Sequence, residues 1–543
     1  MAQVRSLPPE ERVRITYDVP ADDGTEQREL PFVVGVLADF SGNREKAPLL
    51  QRPFIEVSRE ALDSCFRAIA PAFSSIVRFP GTKDSGPADA KIAIRLSSIN
   101  DFERGSPKNE SPFMLRSPGP GAADFRGVEV RDPASGNLID MESACFPVWL
   151  ANEIDRVKKS PEFLQLEASW RGLKYLADAA PTSNIKIRIL DVSKKELFRD
   201  QARAMGFDLS LLFKKLHDDV FGSQGAEPFG VLIGDYEFSN ENQDLHLLER
   251  ISEVAAAIHA PFLAAATPHL LGLNDFAQLA VKREFRAIFK TPEYARWRSF
   301  RQSEAARYVC LTVPRVLLRQ ELPPDELEPF QVWGNAAFAL VGRMMAAFAR
   351  FGWCAKIRGS DGGMVTGLPK GEFIRRDGAN KVNVHLTSAE VVLELWQEVA
   401  LRDSGLVSFG YHRGPSDGFA FVATCQQTPV YESEEATVSH RLTADLRYVL
   451  AAGRFVHYLR AIVRDQPPGR LSGSERKSML NNWIASYVSA DAEQNPQRPL
   501  GAAYLDIAGP AGGLTLASFY ALPKFQLEPL AFGFRTLFRL PPG

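Results

Sequence analysis

Between Arg12 and Val19 the sequence RVRITYDV alternates. Val13, Ile15, Tyr17 and Val19 fall on one side of an extended chain and Arg12, Arg14, Thr16 and Asp18 on the other, which predicts a strand with one buried face. PFVVGVLADF, from Pro31, is apolar on both sides and predicts a strand covered on both faces; a short strand over Phe54 to Val57 then leads into a helix around Ser58 to Ala70. FSSIVRF and KIAIRLSSI are expected to complete a small α/β unit. The stretch RGSPKNESPFMLRSPGPGAADFR, from Arg104, is dense in Gly, Pro and Ser, has no periodic apolar face, and reads as a linker. Beyond it, IKIRILDV, FGVLIGDYEF, APFLAA and RYVCLTV read as strands alternating with helical segments, the pattern of an α/β layer structure. Helical periodicity dominates Val332 to Phe351 and Glu434 to Arg464, with strands near Gly405 to Tyr411 and Gly418 to Thr424. After a helix near Ser474 to Val488 come three strand patterns, AAYLDIAG, LTLASFYAL and LAFGFRTLFRL. In the last of these Phe532, Phe534, Thr536, Phe538 and Leu540 share a face opposite Gly533, Arg535 and Arg539. The fold class is mixed, α/β with α+β character, with a strand at each end of the chain.

One helix stands out, SPEFLQLEASWRGLKYL. Ser160 is placed to cap it, Pro161 suits the first turn, and Glu162 complements the positive end of the dipole. Phe163, Leu166, Trp170, Leu173 and Ala177 form an apolar stripe, with Gln165, Glu167, Arg171 and Lys174 largely off it. A mid-helix glycine costs roughly 1 kcal/mol against alanine, so Gly172 suggests another backbone passing close by, with Trp170 covering the contact. Trp170, Arg171 and Gly172 are therefore read as a docking element. Arg171 is more simply an ion-pair or stacking partner than an anion grip.

The bulk numbers exclude more than they select. In 543 residues, 64 Lys plus Arg face 66 Asp plus Glu, and a net charge of −2 gives no electrostatic reason to bind nucleic acid. The N-terminal residues lack the apolar core of a secretory signal, and the longest apolar run is interrupted by Pro261 and Pro268, so a cytoplasmic location without membrane insertion is expected. Five scattered cysteines fit a reduced compartment better than a disulfide framework. There is no GxxxxGK[ST], GxGxxG after a strand, HExxH or GxSxG, so neither a cofactor nor a local catalytic signature is indicated. His259 and His269, ten positions apart across two prolines, make a poor metal pair, and no metal site is expected. Asp235 and Glu237 end a buried strand, where α/β proteins often place ligand groups, but the two carboxylates are expected to point to opposite faces, which suits paired acid–base work poorly; a cap or ion pair is the better reading. Cys354, with no identifiable histidine partner, reads as a packing cysteine, and the SERK at Ser474 as surface helix. No catalytic residue is assigned.

The ordered motifs EFLQLEASWRGLKYL, IKIRILDVSKKELFRD, FGVLIGDYEFS, LLERISEVAAAIHAPFLAAATP, WRSFRQSEAARYVCLTVPR, WGNAAFAL, FGWCAKIRG and RFVHYLRAIVRD resemble the large sheath subunit of type VI secretion systems, TssC or VipB. RVRITYDVP, ELPFVVGVLADFSG, FIEVSREALDSCFRAIAP and SSINDFE resemble the small subunit, TssB or VipA. The resemblance implies a fused sheath protein: a small-subunit-like part over 1–103, a linker and connection over 104–147, and a large-subunit-like part over 148–543. It further implies a contractile tail-sheath-like fold, self-assembly into a helical homo-polymer of stacked rings, and mechanical work on an Hcp-like inner tube with baseplate components as partners. The large part lacks most of the long preamble that in many members carries the helix recognised by the ClpV unfoldase, so ClpV-driven recycling is not carried over. Terminal strands offer main-chain edges to a neighbouring sheet. The expected inter-subunit strands are marked by Val13, Ile15 and Tyr17 at one end and Phe532, Phe534 and Phe538 at the other. A sheath-like protein that caps or regulates assembly without elongating is the alternative.

Overall fold

The computed structural model describes residues 12–21, 24–79, 88–102, 128–131, 146–180, 184–280, 286–322, 329–376, 382–412, 416–427, 432–466, 472–511, 514–530 and 532–540. The elements that matter here, numbered in chain order, start with the hairpin of β1 (Tyr17–Ala21) and β2 (Gly24–Arg28), then β3 (Phe32–Ala38), β4 (Ile55–Val57), α1 (Leu62–Ile69), β5 (Ala72–Phe79), β6 (Ala88–Arg95) and β7 (Val128–Arg131). There follow α2 (Phe146–Lys158), α3 (Pro161–Ala179), β8 (Ile185–Asp191), β9 (Phe229–Phe238), α4 (Asn242–Ile258), β10 (Phe262–Ala266), β11 (Val309–Val313), α5 (Ala337–Phe351) and β12 (Leu406–Ser408). Last come α6 (Leu446–Asp465), α7 (Gly473–Ala485), β13 (Leu500–Ala511), β14 (Leu514–Pro523) and β15 (Phe534–Arg539).

β3 is buried along its whole length, as its two-sided apolar sequence requires, and its place decides the architecture. It runs parallel between β8 and β9, inside a seven-stranded sheet ordered β12-β11-β10-β9-β3-β8-β4 in which only β4 is antiparallel to its neighbour. Val34 and Val36 enter one core with α3 and α5, while Val33 and Leu37 enter the opposite core with α4. The N-terminal segment therefore does not close a small α/β unit around β3. Its β5 and β6 instead form a separate antiparallel sheet with β7, a strand within the stretch expected to be connection only. The Gly/Pro/Ser-rich part of that stretch lies outside the described residues.

A third core is organised by α6, all twenty residues of which are buried. Val13, Ile15, Tyr17 and Leu30 from the N-terminal end and Leu505, Phe519, Phe534, Phe538 and Leu540 from the C-terminal end pack into it together. Three expected elements differ in detail. The helix expected from Val332 is preceded by a strand, Phe330–Gly334, and starts only at Ala337, where Asn335 Oδ1 accepts the Ala337 N–H at 2.9 Å. The helical run from Glu434 breaks after Thr443, because Asp445 caps a new helix by accepting the Arg447 N–H. The strand expected over Gly418 to Thr424 ends at Gly418; beyond it Val422 O and the Thr424 N–H bond Leu446 and Ala444 at the start of α6 instead of a sheet.

A β3 that depends on β8 and β9 for both ladders predicts that residues 1–109 expressed alone lack a stable fold, and that co-expression with 146–543 restores it. Far-ultraviolet circular dichroism and limited proteolysis of the fragment, alone and co-purified, check this; a protease-resistant isolated fragment would contradict it.

Candidate assembly strands and docking helix

α3 begins as its sequence dictates, with the Ser160 side chain accepting the Phe163 N–H and Pro161 in the first turn. Its stripe is buried, and Trp170 lies between the two parts of the chain. The indole Nε1–H donates to Phe40 O at 2.9 Å, and the ring packs on Phe40 and Phe66 at centroid distances of 5.1 and 4.5 Å. The loop after β3 is fixed from the other side by Asp191, which accepts the Phe40 N–H at 2.8 Å and the Ser41 hydroxyl at 2.6 Å. Gly172 faces α5, where an added Cβ would lie 2.6 Å from the Phe338 ring. The close approach inferred from the sequence is thus made by an aromatic side chain and not by a backbone. Arg171 donates to Glu167 at 2.6 Å; Glu167, expected largely off the apolar stripe, is nonetheless 1% exposed, and Arg319 also grips it, at 2.6 and 3.1 Å. A buried carboxylate held by two guanidiniums is satisfied in the way a buried charge has to be.

The terminal strands keep their alternation, and their marked side chains point inward. Val13, Ile15 and Tyr17 are buried against α6 and α7, although the ladder itself begins only at Tyr17. Before it the chain is pinned piecewise: the Val13 N–H donates to Phe351 O at 2.9 Å, and Thr16 O accepts the Trp483 Nε1–H at 2.9 Å. Tyr17 donates its hydroxyl to Asp465 at 2.8 Å, and burial together with that carboxylate pushes its phenol up to about 12. Phe534 and Phe538 are buried, and half-buried Phe532 packs on His440 with centroids 5.0 Å apart. What stays open is main chain. β2 is exposed at all five residues and, among the described residues, pairs only with β1. β15 pairs on one side with β14, and the Leu540 N–H donating to Thr515 O sets even-numbered residues inward and odd-numbered ones outward. Arg460 occupies Arg539 O at 3.2 Å, which leaves the main chain of Arg535 and Leu537 without a neighbouring strand among the described residues. The outer face of this sheet carries Tyr504, Leu516 and Leu537, 56%, 46% and 62% exposed. Sequence reasoning passed over these three; for Leu537 the signal was an apolar residue in the phase otherwise held by Gly533, Arg535 and Arg539.

The remaining candidates are structural. Cys354 is buried with its thiol directed to Met344 O, and burial pushes it up to about 12, far from a thiolate. Ser474 sits in the exposed first turn of α7, where Ser472 and Glu475 form a capping box and Lys477 pairs with Asp506 at 2.6 Å. Residues two apart on a regular strand share a face, so the expected divergence of Asp235 and Glu237 does not follow; burial separates them instead. Glu237 is partly exposed beside Arg315, whereas Asp235 is buried, accepting the Ser169 hydroxyl at 2.5 Å and Gln165 Nε2 at 3.2 Å. Burial, with the Glu237 charge adding to it, raises Asp235 to about 6. Asp235 is thereby a third tie holding α3 onto the central sheet. Among the described residues no group of three His, Cys, Asp or Glu is placed to hold a metal, and no helix is long and apolar enough to cross a membrane.

Cores that join distant segments, together with strand edges left open at both ends, define a structural protein built to associate. The comparisons give the family. Residues 148–427 match the EvpB/VC_A0108 tail sheath N-terminal domain, residues 435–540 the EvpB/VC_A0108 tail sheath gpW/gp25-like domain, and residues 5–109 the type VI secretion system family VipA, VC_A0107 or Hcp2. The type VI secretion system sheath protein TssC1 of Pseudomonas aeruginosa is 35% identical over 428 residues, covering 73% of this chain and 85% of that protein. TssB1 of the same organism is 31% identical over 93 residues, 17% of this chain and 52% of that protein, so the chain spans about half of TssB1. Among solved structures, the anti-feeding prophage helical sheath in its contracted state aligns over 99% of this chain and 93% of that one, at 10% identity and a TM-score of 0.33, too loose a superposition to argue from. The chain belongs to the type VI secretion tail-sheath family, as a fusion of TssB-like and TssC-like parts, and is a sheath structural subunit.

Two outcomes follow from the docking helix. Gly172→Ala drives a methyl into Phe338 and should destabilise the protein by about 1–3 kcal/mol, read from the urea midpoint. Asp235 titrates near 3.8 unfolded and about 6 folded, so the folded state binds the extra proton between those values. Stability should fall as pH rises from about 4 to about 6 and level off above, by roughly 3 kcal/mol at most, and Asp235→Asn should flatten that window in urea titrations.

Proposed function

We propose that this chain polymerises into a helical sheath of stacked rings in the cytoplasm, surrounds an Hcp-like inner tube on a baseplate, and contracts to drive tube and spike outward. The observation that carries the reading is the pair of open main-chain edges, β2 and β15, held on one body by a shared core around α6. A neighbour's strand added at either edge gains affinity from main-chain hydrogen bonds. In this reading Val13, Ile15, Tyr17, Phe532, Phe534 and Phe538 anchor the terminal strands from within. The contact itself falls to the odd-numbered positions of β15 and to the exposed strand β2. Subunits laced in this way can move between two packings differing by a few kcal/mol each, and a long array releasing that difference together does work without a nucleotide site in this chain.

The discriminating substitution is Leu537→Pro. It removes an outward N–H from an edge strand and leaves the inward ladder to β14 intact, whereas proline at buried Phe534 would damage the subunit's own sheet. Expressed with the inner-tube protein, wild type should form rings or tubes in negative-stain microscopy, and Leu537→Pro should give a folded protomer that does not elongate. Tubes of normal length from the variant would reject the edge assignment. A wild-type protein that binds preformed sheath but never elongates would point to a cap.

A further inference from the structure

Where the three family-matched segments meet, Phe32, His259, Trp353, Cys354, Arg454 and His457 line a cavity of about 20 Å³. About 10–15 Å³ is enough for one small particle such as a water. Three of these side chains each carry a buried nitrogen with no hydrogen-bond partner in the protein: Nε2 of His259, Nε1 of Trp353 and Nε of Arg454. The Trp and Arg nitrogens are donors only. His259 Nδ1 lies 2.9 Å from the Tyr308 hydroxyl. Donation from Tyr308 to Nδ1 satisfies both groups and puts the ring proton on Nε2; the other tautomer would strand the Tyr308 proton as well. Assigned from this network, Nε2 is a third donor.

The charge around the cavity has one sign. Arg454 gives its terminal nitrogens to Pro31 O, at 3.0 Å, and to Leu30 O, and stacks over Phe348 and Tyr458 at 4.9 and 5.1 Å. Neither it nor buried Arg460, six residues along α6, has a carboxylate within salt-bridge distance among the described residues. Arg460 donates to Arg539 O at 3.2 Å and has Nη1 unpartnered. His457 gives its Nε2 proton to Ile258 O at 2.9 Å, and burial holds it neutral by lowering it to about 3. A water accepts two hydrogen bonds and must place two protons of its own; His457 Nδ1 is the single ring acceptor on this lining. Three donors beside an uncompensated buried cation call instead for a ligand that only accepts and that carries negative charge.

We propose that the cavity binds one monovalent, halide-sized anion, chloride in the cell, which neutralises Arg454 and ties α6 to the central sheet and to the start of β3. A ligand bound only by the folded chain raises its stability with the logarithm of concentration above Kd. The test is thermal unfolding of the full chain in sodium chloride or bromide against sodium gluconate at equal ionic strength. Wild type should melt several degrees higher in the halides, with the increment growing with the logarithm of concentration, and Trp353→Phe should lose that increment. Equal melting temperatures in all three salts, or a full halide increment in Trp353→Phe, would overturn the proposal. Should the variant fail to fold, bromide-soaked crystals of wild type decide the matter. An anomalous peak between Trp353, His259 and Arg454 supports the site; density there without anomalous signal is water and overturns it.

Discussion

The parallel pairing of β3 with β8 and β9 is the constraint on which the rest depends. β3 is seven apolar residues long and covered on both faces, so its backbone groups have nowhere to go except the ladders on either side. Those ladders come from sequence more than 140 residues away. Once β3 is in place, the loop that follows it is brought under Trp170 and beside Asp191, and α1 is carried onto α3 through Phe66. In relatives where the TssB-like and TssC-like parts are separate proteins, such a strand would make the two obligate partners. In this chain the same dependence operates within one molecule.

The second organising element is α6. Its burial on all sides brings the two ends of the chain into one core, so the exposed hairpin strand β2 and the edge strand β15 stand on a common support. The same helix is tied to the start of β3 through Arg454, which donates to the carbonyls of Leu30 and Pro31. Of the sequence candidates, Cys354 is used in packing and Asp235 in holding α3.

Much of this was legible in the sequence because it is local. The alternation of RVRITYDV and of the final strand, the two-sided apolar pattern of β3, and the Ser160–Pro161 start of α3 each reflect a periodicity or cap that a few neighbouring residues specify. At Gly172 the sequence led to the expectation of a nearby backbone, whereas the neighbour is the Phe338 side chain, invisible because it lies on another helix. The burial of Glu167 was invisible for the same reason: it is made tolerable by Arg319, 152 residues further on.

The sequence by itself determined most of the helices and strands, the phase of each terminal strand and the resemblance to the family. Tertiary structure alone decided that the N-terminal part shares a sheet with the large part, that the marked aromatic residues face inward while Leu537 and Leu516 face out, and that unpartnered donors from the two TssC-like segments gather at one cavity beside Phe32 of the TssB-like part. The physical reason is the range of the forces involved. Dihedral preference and side-chain periodicity act over a few residues, whereas ladder pairing, burial and charge neutralisation depend on which distant segments the chain brings together.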